Sequence, residues 1–74
     1  MNRTLCDLRP GEHATVRKLL TKGSMRRRIL DLGLIENTDV ECISQSPGGD
    51  LSAFMIRGAV IAIRAEDLKG ICIK

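Results

Sequence analysis

Three consecutive arginines, Arg26, Arg27 and Arg28, are the side chains of this sequence best suited to bind a charged partner. The guanidinium group is a planar fork of donors that matches both carboxylates and phosphates. They fall in the first half of a predicted helix, where the helix dipole disfavours cations, which suggests a use outside the helix. We therefore predict that they bind a partner. The alternative is a solvated helix face on which Asp31 pairs weakly with Arg27 or Arg28.

Cys6, His13, Cys42 and Cys72 carry the types of side chain that ligate zinc. No two of the cysteines have the short spacing that marks a zinc site, and His13 is predicted to point outward whereas Cys42 points inward. We predict no metal site, a core position for Cys42 and surface positions for Cys6 and Cys72. The odd cysteine count also argues against a disulfide framework and favours reduced thiols in the cytosol.

Catalysis finds little support in the sequence. There is one histidine, and no nucleophile and base can be picked out by their spacing. The pair Gly48-Gly49 lacks the lysine and the following helix of a phosphate-binding loop. We expect a protein that is not an enzyme, with no catalytic residues and no cofactor.

A short helix is predicted within residues 24–34. Ser24 is suited to the N-cap, and Gly33 to the left-handed residue that ends a helix, with Leu34 reaching back to Ile29. Met25, Ile29 and Leu32 recur at helical spacing, so they form the apolar face that must dock on the rest of the fold.

Most of the remaining sequence alternates as β-strands do. Leu51 to Ile56 and Ala59 to Arg64 form a predicted hairpin around Arg57-Gly58. About five short strands with one inserted helix give a mainly β domain over residues 1–74. Closing the sheet into a small barrel would remove its edges.

The predicted hairpin register places Met55 opposite Val60 on the outside of the barrel. Leu51, Ala53 and Ala62 share that outer face, and an apolar patch there is typical of a binding surface. We predict Met55 and Val60 as partner-binding residues. The alternative is that the helix or the N-terminal segment covers them, and an exposed patch would also allow weak self-association.

Composition limits the classes of partner. The net charge is +3, and Phe54 is the single aromatic residue, so base stacking is unavailable and no nucleic-acid binding is expected. No apolar run approaches the length of a membrane span, and residues 1–4 lead into no signal-peptide core. We expect a cytoplasmic protein that is not embedded in a membrane.

Three segments in this order resemble the FeoA proteins of bacterial ferrous iron uptake. They are residues 7–12 (Asp-Leu-Arg-Pro-Gly-Glu), residues 27–34 (Arg-Arg-Ile-Leu-Asp-Leu-Gly-Leu), and Arg57-Gly58 followed by residues 61–64 (Ile-Ala-Ile-Arg). The resemblance covers nearly the whole chain, and the helix motif is its most specific part. The family tends to be polar where Met55 and Val60 stand, so the apolar outer face is particular to this sequence.

The resemblance implies an SH3-like barrel in the cytosol. It also implies an accessory role to FeoB, the ferrous iron transporter that carries a GTP-binding domain on its cytoplasmic side. The partner expected from it is the cytoplasmic GTP-binding domain of a FeoB-type transporter, and the family supplies no established metal ligands to carry over.

Three other functions stay open at the level of sequence. SH3-like barrels occur in nucleic-acid-binding proteins and in iron-dependent repressors, although this chain has no room for a helical DNA-binding region. A direct carrier of ferrous iron is the third. Recognition of proline-rich peptides is disfavoured, because that groove is built from aromatic side chains.

Overall fold

The computed structural model describes residues 3–74, in six β-strands and two α-helices. The expectation of no signal peptide rests partly on Met1 and Asn2, which lie outside the described residues. The strands are β1 (Arg3–Thr4), β2 (His13–Leu19), β3 (Asp39–Gln45), β4 (Leu51–Ile56), β5 (Ala59–Arg64) and β6 (Ile71–Ile73). The helices are α1 (Gly23–Asp31) and α2 (Ala65–Leu68), and a 3-10 turn spans Leu5–Asp7.

The strands form one antiparallel sheet in the order β1-β6-β2-β3-β4-β5. The mainly β class with one inserted helix is therefore confirmed, with six strands instead of about five. The additional strand is β1, whose two residues are too few to show any alternation in the sequence. Within residues 3–74, the two outermost strands of the sheet, β1 and β5, do not pair with each other. The expectation that the sheet closes into a barrel without free edges is therefore wrong.

The sheet encloses a largely aliphatic core. The side chains that are almost completely buried come from all parts of the fold: Leu5, Leu8, Val16, Ile29, Leu34, Val40, Cys42, Phe54, Ile56, Leu68, Ile71 and Cys72. Ile63 is also buried and Ile61 packs against the cluster from a half-buried position, so these two residues form the inner face of the hairpin together with Phe54 and Ile56. Ile29 is the residue through which α1 enters this core.

Tight turns fix how the strands follow one another. Glu12 donates its N–H to the carbonyl of Arg9 at 3.0 Å across Pro10-Gly11, where Gly11 has φ +92°. Asn37 has φ +69° in the turn before β3, as expected from the ability of asparagine to adopt the left-handed conformation. Gly11 donates its N–H to the carbonyl of Cys42 on β3, and Asn37 donates its N–H to the carbonyl of Val16 on β2, each at 2.8 Å, so each turn is bonded to the neighbouring strand of the antiparallel β2–β3 pair.

The 3-10 turn begins with reciprocal caps. Cys6 donates its N–H to Thr4 Oγ1 at 3.2 Å, and Thr4 donates its own N–H to Asp7 Oδ2 at 3.0 Å. This arrangement satisfies two donors that the start of a helix leaves without intrahelical partners. It also holds Leu5 in the core directly after β1.

Candidate functional site

The basic helix α1 begins differently from the sequence prediction. Its N-cap is Lys22, in an extended conformation, and no side chain caps the first turn. Gly23 has φ +68° and turns the chain, so the backbone of Ser24 is already helical. Because an N-cap residue must be non-helical, the prediction that Ser24 is the cap is wrong.

The end of α1 agrees with the prediction. Gly33 has φ +96°, Leu34 donates its N–H to the carbonyl of Ile29 at 3.2 Å, and Gly33 donates to that of Leu30 at 3.0 Å. This pair of bonds is the Schellman motif, in which a glycine ends the helix and the next residue bonds back across it. Thr38 Oγ1 donates to the Gly33 carbonyl at 3.3 Å and ties the helix end to the start of β3.

All three arginines of α1 are exposed. Arg26 Nη1 donates to the carbonyl of Leu19 at 3.3 Å, which anchors the helix to the end of β2. Within the described part of the chain, the ion pairs found do not include Asp31 with Arg27 or Arg28. The guanidinium groups of Arg27 and Arg28 therefore remain free to meet an external anion.

The outer face of the hairpin β4–β5 is the second predicted surface. Met55 lies opposite Val60, and Ile56 lies opposite Ala59 across the two-residue turn, so the predicted register is confirmed. Val60 is 57% exposed and Met55 is half-buried. Leu51, at the far end of β4, is 44% exposed on the same face. Within residues 3–74, neither α1 nor the start of the chain covers Val60.

A cleft of about 200 Å³ connects these two surfaces. Met25, Arg28 and Leu32 of α1 line one side of it, and Ala62 and Arg64 of β5 line the other. Val60 lies two residues before Ala62 and points to the same side of the strand. The basic helix and the apolar outer face are therefore parts of one continuous surface, which we call the helix–hairpin surface.

The cleft itself is not apparent from the sequence. Ala62 is predicted on the outer face, but no pattern marks Arg64 and Asp67, which also line the cleft. They lie near α1 because segments that are distant in the sequence line the same cleft, and no local pattern reports that proximity. One feature of the sequence does point to residues 64–67: a predicted strand ends there and a helical turn begins, next to the outer face.

The three cysteines are free thiols. Cys42 is buried in the core as predicted, and burial raises its pKa, with the nearby negative charge of Glu12 adding to the shift. Cys72 is 1% exposed, which contradicts its predicted surface position. It lies on β6 between Thr4 of β1 and Lys18 of β2, so both sides of its strand are paired.

Metal-binding chemistry is sparse in the described residues. Among residues 3–74, no group of three or more His, Cys, Asp and Glu side chains is placed to hold a metal ion. His13 Nε2 lies 3.9 Å from Glu41 Oε1, with the histidine largely exposed, and this contact is a single pair. No helix of the described residues is long and apolar enough to cross a membrane.

Known structures share this fold. A FeoA-like protein from Clostridium acetobutylicum superposes with a TM-score of 0.90 at 23% identity, over 99% of this chain and 85% of its own. The FeoA protein of Chlorobium tepidum gives 0.88 at 27% identity, over 96% and 68%. Stenotrophomonas maltophilia FeoA, complexed with zinc and described as an SH3 domain protein, gives 0.86 at 21% identity, over 97% and 89%. No curated protein matches the sequence.

The similarity to an SH3 domain protein confirms the SH3-like architecture expected for this mainly β chain. The sequence pattern of the FeoA domain matches residues 3–74, which is all but the first two residues. That family is a non-catalytic accessory domain associated with ferrous iron transport. With nearly every residue inside the match, the chain belongs to the FeoA domain family.

Proposed function

We propose that this protein acts in the cytoplasm by binding the cytoplasmic GTP-binding domain of a FeoB-type transporter and modulating its ferrous iron transport. Membership of the FeoA family supports a role in ferrous iron transport. The Stenotrophomonas maltophilia relative was described as a candidate ferrous iron transport activating factor. The docking site in this proposal is the helix–hairpin surface, with Arg26, Arg27, Arg28, Met55 and Val60 as its partner-binding residues.

The observation that carries this proposal is the continuity of that surface. Arg28 and Ala62 line the same cleft, and Val60 continues the outer face from Ala62 towards the hairpin turn. An apolar patch beside a row of arginines has the composition of a protein interface, because arginine is enriched there and exposed aliphatic side chains gain by burial.

The charge on α1 indicates the chemistry of the partner. The exposed guanidinium groups of Arg27 and Arg28 have fork geometry for carboxylates, so the face that they meet should be acidic. Exposed pairs of this kind contribute roughly 0.2–1 kcal/mol each and steer the approach of the partner. The apolar contacts around Val60 would supply most of the affinity.

The test is an NMR titration of isotope-labelled protein with the soluble GTP-binding domain of the transporter, with and without nucleotide. We expect shifts at Arg26–Arg28, Met55, Val60 and Ala62. Arg27→Glu should weaken binding by about five- to tenfold, because a favourable rim charge becomes repulsive, and should make binding less sensitive to salt.

The matched control is Arg9→Glu, which changes the net charge equally at an exposed turn outside the helix–hairpin surface. It should leave the affinity within about twofold of the unmodified protein. If Arg27→Glu folds and binds like the control, α1 is not the interface. Shifts that avoid both α1 and the hairpin in every nucleotide state would reject the proposed site.

A further inference from the structure

The edge of the sheet at β5 differs from the edge at β1. Among the described residues, the sheet order ends at β5, so this strand has a neighbour, β4, on one side only. β1 is two residues long and contains Arg3, and short or charged strands are the usual protection of an edge. β5 is six residues long, and from Ala59 to Ile63 it has no charge and no proline.

β5 is also regular along its whole length. Its six pairs with β4 run without a register shift, whereas β2–β6 and β3–β4 both contain one. In an antiparallel hairpin with a two-residue turn, every second residue after the turn hydrogen-bonds to the partner strand. The backbone N–H and C=O groups of Ala59, Ile61 and Ile63 therefore bond to β4. Val60 and Ala62 therefore point their backbone N–H and C=O groups away from β4, towards the open edge, as a template for another strand.

The edge has a helix beside it. Met25 and Leu32 of α1 face Ala62 and Ile63 of β5 across the cleft. Gly33 at the end of α1 lies against Arg57 of the hairpin turn, since a Cβ atom added to Gly33 would be 3.5 Å from Arg57 Cδ. The free edge of β5 therefore runs from the hairpin turn, where α1 ends beside Arg57, to this cleft, where Met25 and Leu32 lie opposite the strand. We call this stretch of edge, together with the cleft, the groove.

We propose that this groove binds an extended segment of a protein partner as a seventh, antiparallel strand. Addition of a peptide strand between a sheet edge and a helix is a recurring mode of recognition, in which the backbone supplies affinity and alternate side chains supply specificity. Side chains of the added strand that face inward would contact Met25 and Leu32, so those positions are apolar. This inference concerns the kind of segment bound and does not require that it belongs to a transporter.

The charged side chains at the two ends of the groove indicate which residues the bound segment should carry there. Arg57 lies at one end of the groove, and Arg28 and Arg64 lie at the other. Arg64 Nη1 lies 3.9 Å from Glu66 Oε1, but both side chains are 74% exposed, so water screens this pair and an incoming carboxylate can replace it. Asp67 also lines that end, so Arg28 and Arg64 lie beside two acidic residues there, and with Arg57 the groove as a whole has three arginines against two acidic residues. The segment that fits is apolar in the middle and carries acidic residues that pair with these arginines.

The same charges disfavour a second copy of this chain as the occupant. Antiparallel pairing of two β5 strands, with Val60 opposite Ala62 of the other copy, would place Arg64 opposite Gly58 and beside Arg57. Like charges would then meet at both ends of the shared ladder, which is destabilising. An acidic segment meets the opposite sign at the same positions.

The experiment uses a blocked peptide in which valine and threonine alternate, with two glutamates at each end. Valines that face α1 place the threonine amides against Val60 and Ala62. N-methylation of the threonine amides should weaken binding at least about tenfold, because each methyl group removes a ladder hydrogen bond, whereas N-methylation of the valine amides should be tolerated. Binding should slow amide exchange at Val60 and Ala62, and replacing the glutamates by lysines should abolish it.

Ala62→Pro tests the protein side of the groove. The N–H of Ala62 points to the open edge, so proline removes no bond to β4 and is tolerated on an edge strand. This variant should fold and lose at least about tenfold in affinity for the peptide. Equal effects of both methylation patterns would overturn the proposal. It would also be overturned by a stable dimer of the free protein that Ala62→Pro dissociates, because a second copy would then occupy the edge.

Discussion

Arg57 lies against the end of α1 at Gly33, where an added Cβ atom would be 3.5 Å from Arg57 Cδ and 3.8 Å from Ile56 Cγ2. Gly33 has φ +96° and provides the left-handed residue that ends the helix. A methyl group at position 33 would therefore lie in ordinary van der Waals contact with the hairpin turn, so α1 ends directly beside that turn.

Gly33→Ala should destabilise the protein by about 1–2 kcal/mol, because an L-residue is strained at this positive φ. The matched control is Gly49→Ala, at φ +76° with no atom within 4 Å of the added Cβ. It carries the backbone cost alone, and because the added Cβ at position 33 meets Arg57 at an ordinary contact distance, the two variants should lose similar free energies of unfolding. Chemical denaturation measures both, and a clearly larger loss for Gly33→Ala would contradict this account.

The hairpin turn itself is under strain at Arg57. Arg57 has φ +51° and Gly58 has φ +85°, the pair of left-handed residues that defines a type I′ turn. Asparagine adopts this conformation more readily than arginine, so Arg57→Asn should stabilise the protein by about 0.5–1 kcal/mol. Arg57→Ala removes the same side-chain contacts but does not favour the left-handed backbone conformation, so it should not stabilise the protein. A midpoint of thermal unfolding that falls for Arg57→Asn would contradict this account.

The hairpin shows what the sequence could predict. Alternation on both sides of Arg57-Gly58 fixed the register of Met55 against Val60, because a shift by one residue would expose Phe54. The residue types of Gly33 and Leu34 likewise predicted where α1 ends. These features are local, and each depends on fewer than eight consecutive residues.

The features that were missed depend on contacts between distant segments. Ser24 is not the N-cap, because Gly23 turns the backbone one residue earlier. The residue type of Gly23 does not reveal that its φ is positive. Cys72 is buried because β1 pairs with β6, which joins residues about seventy positions apart. The cleft between Arg28 and Ala62 arises in the same way, and the free edge of β5 follows from the sheet order alone.

Thr21 and Gly70 are packed closely enough to test by a double-mutant cycle. A Cβ atom added to Gly70 would lie 2.7 Å from Thr21 Oγ1, which is inside van der Waals contact. Gly70→Ala should therefore cost about 1–3 kcal/mol alone and much less in the background of Thr21→Ala. Thr21→Val keeps an atom in the place of the hydroxyl and should not relieve the clash. Additive losses in the cycle would refute the contact.

The hydroxyl of Thr21 also stands out among the described residues, because its oxygen is buried without a hydrogen-bond partner. Thr21→Val replaces that oxygen by a methyl group of similar shape, so it should raise the free energy of unfolding by about 1 kcal/mol. Thr21→Ser retains the hydroxyl and serves as the control, since it should not stabilise. Urea denaturation of the three proteins distinguishes the outcomes.

Cys42 makes stability depend on pH in the alkaline range. Burial, with the negative charge of Glu12, raises the pKa of this thiol in the folded protein above 9.0, its ordinary value. Between 9.0 and the folded pKa the unfolded chain loses the proton first, so the folded state binds more protons. The contribution of Cys42 is therefore complete below about pH 9 and is lost as the pH rises through the folded pKa.

Cys42→Ala lacks this titration, so the difference in the free energy of unfolding between the two proteins should shrink above pH 9, by at most about 1.4 kcal/mol per pH unit. Urea denaturation between pH 7 and 10.5 measures it, and a constant difference across that range would show that the thiol is not held protonated by the core.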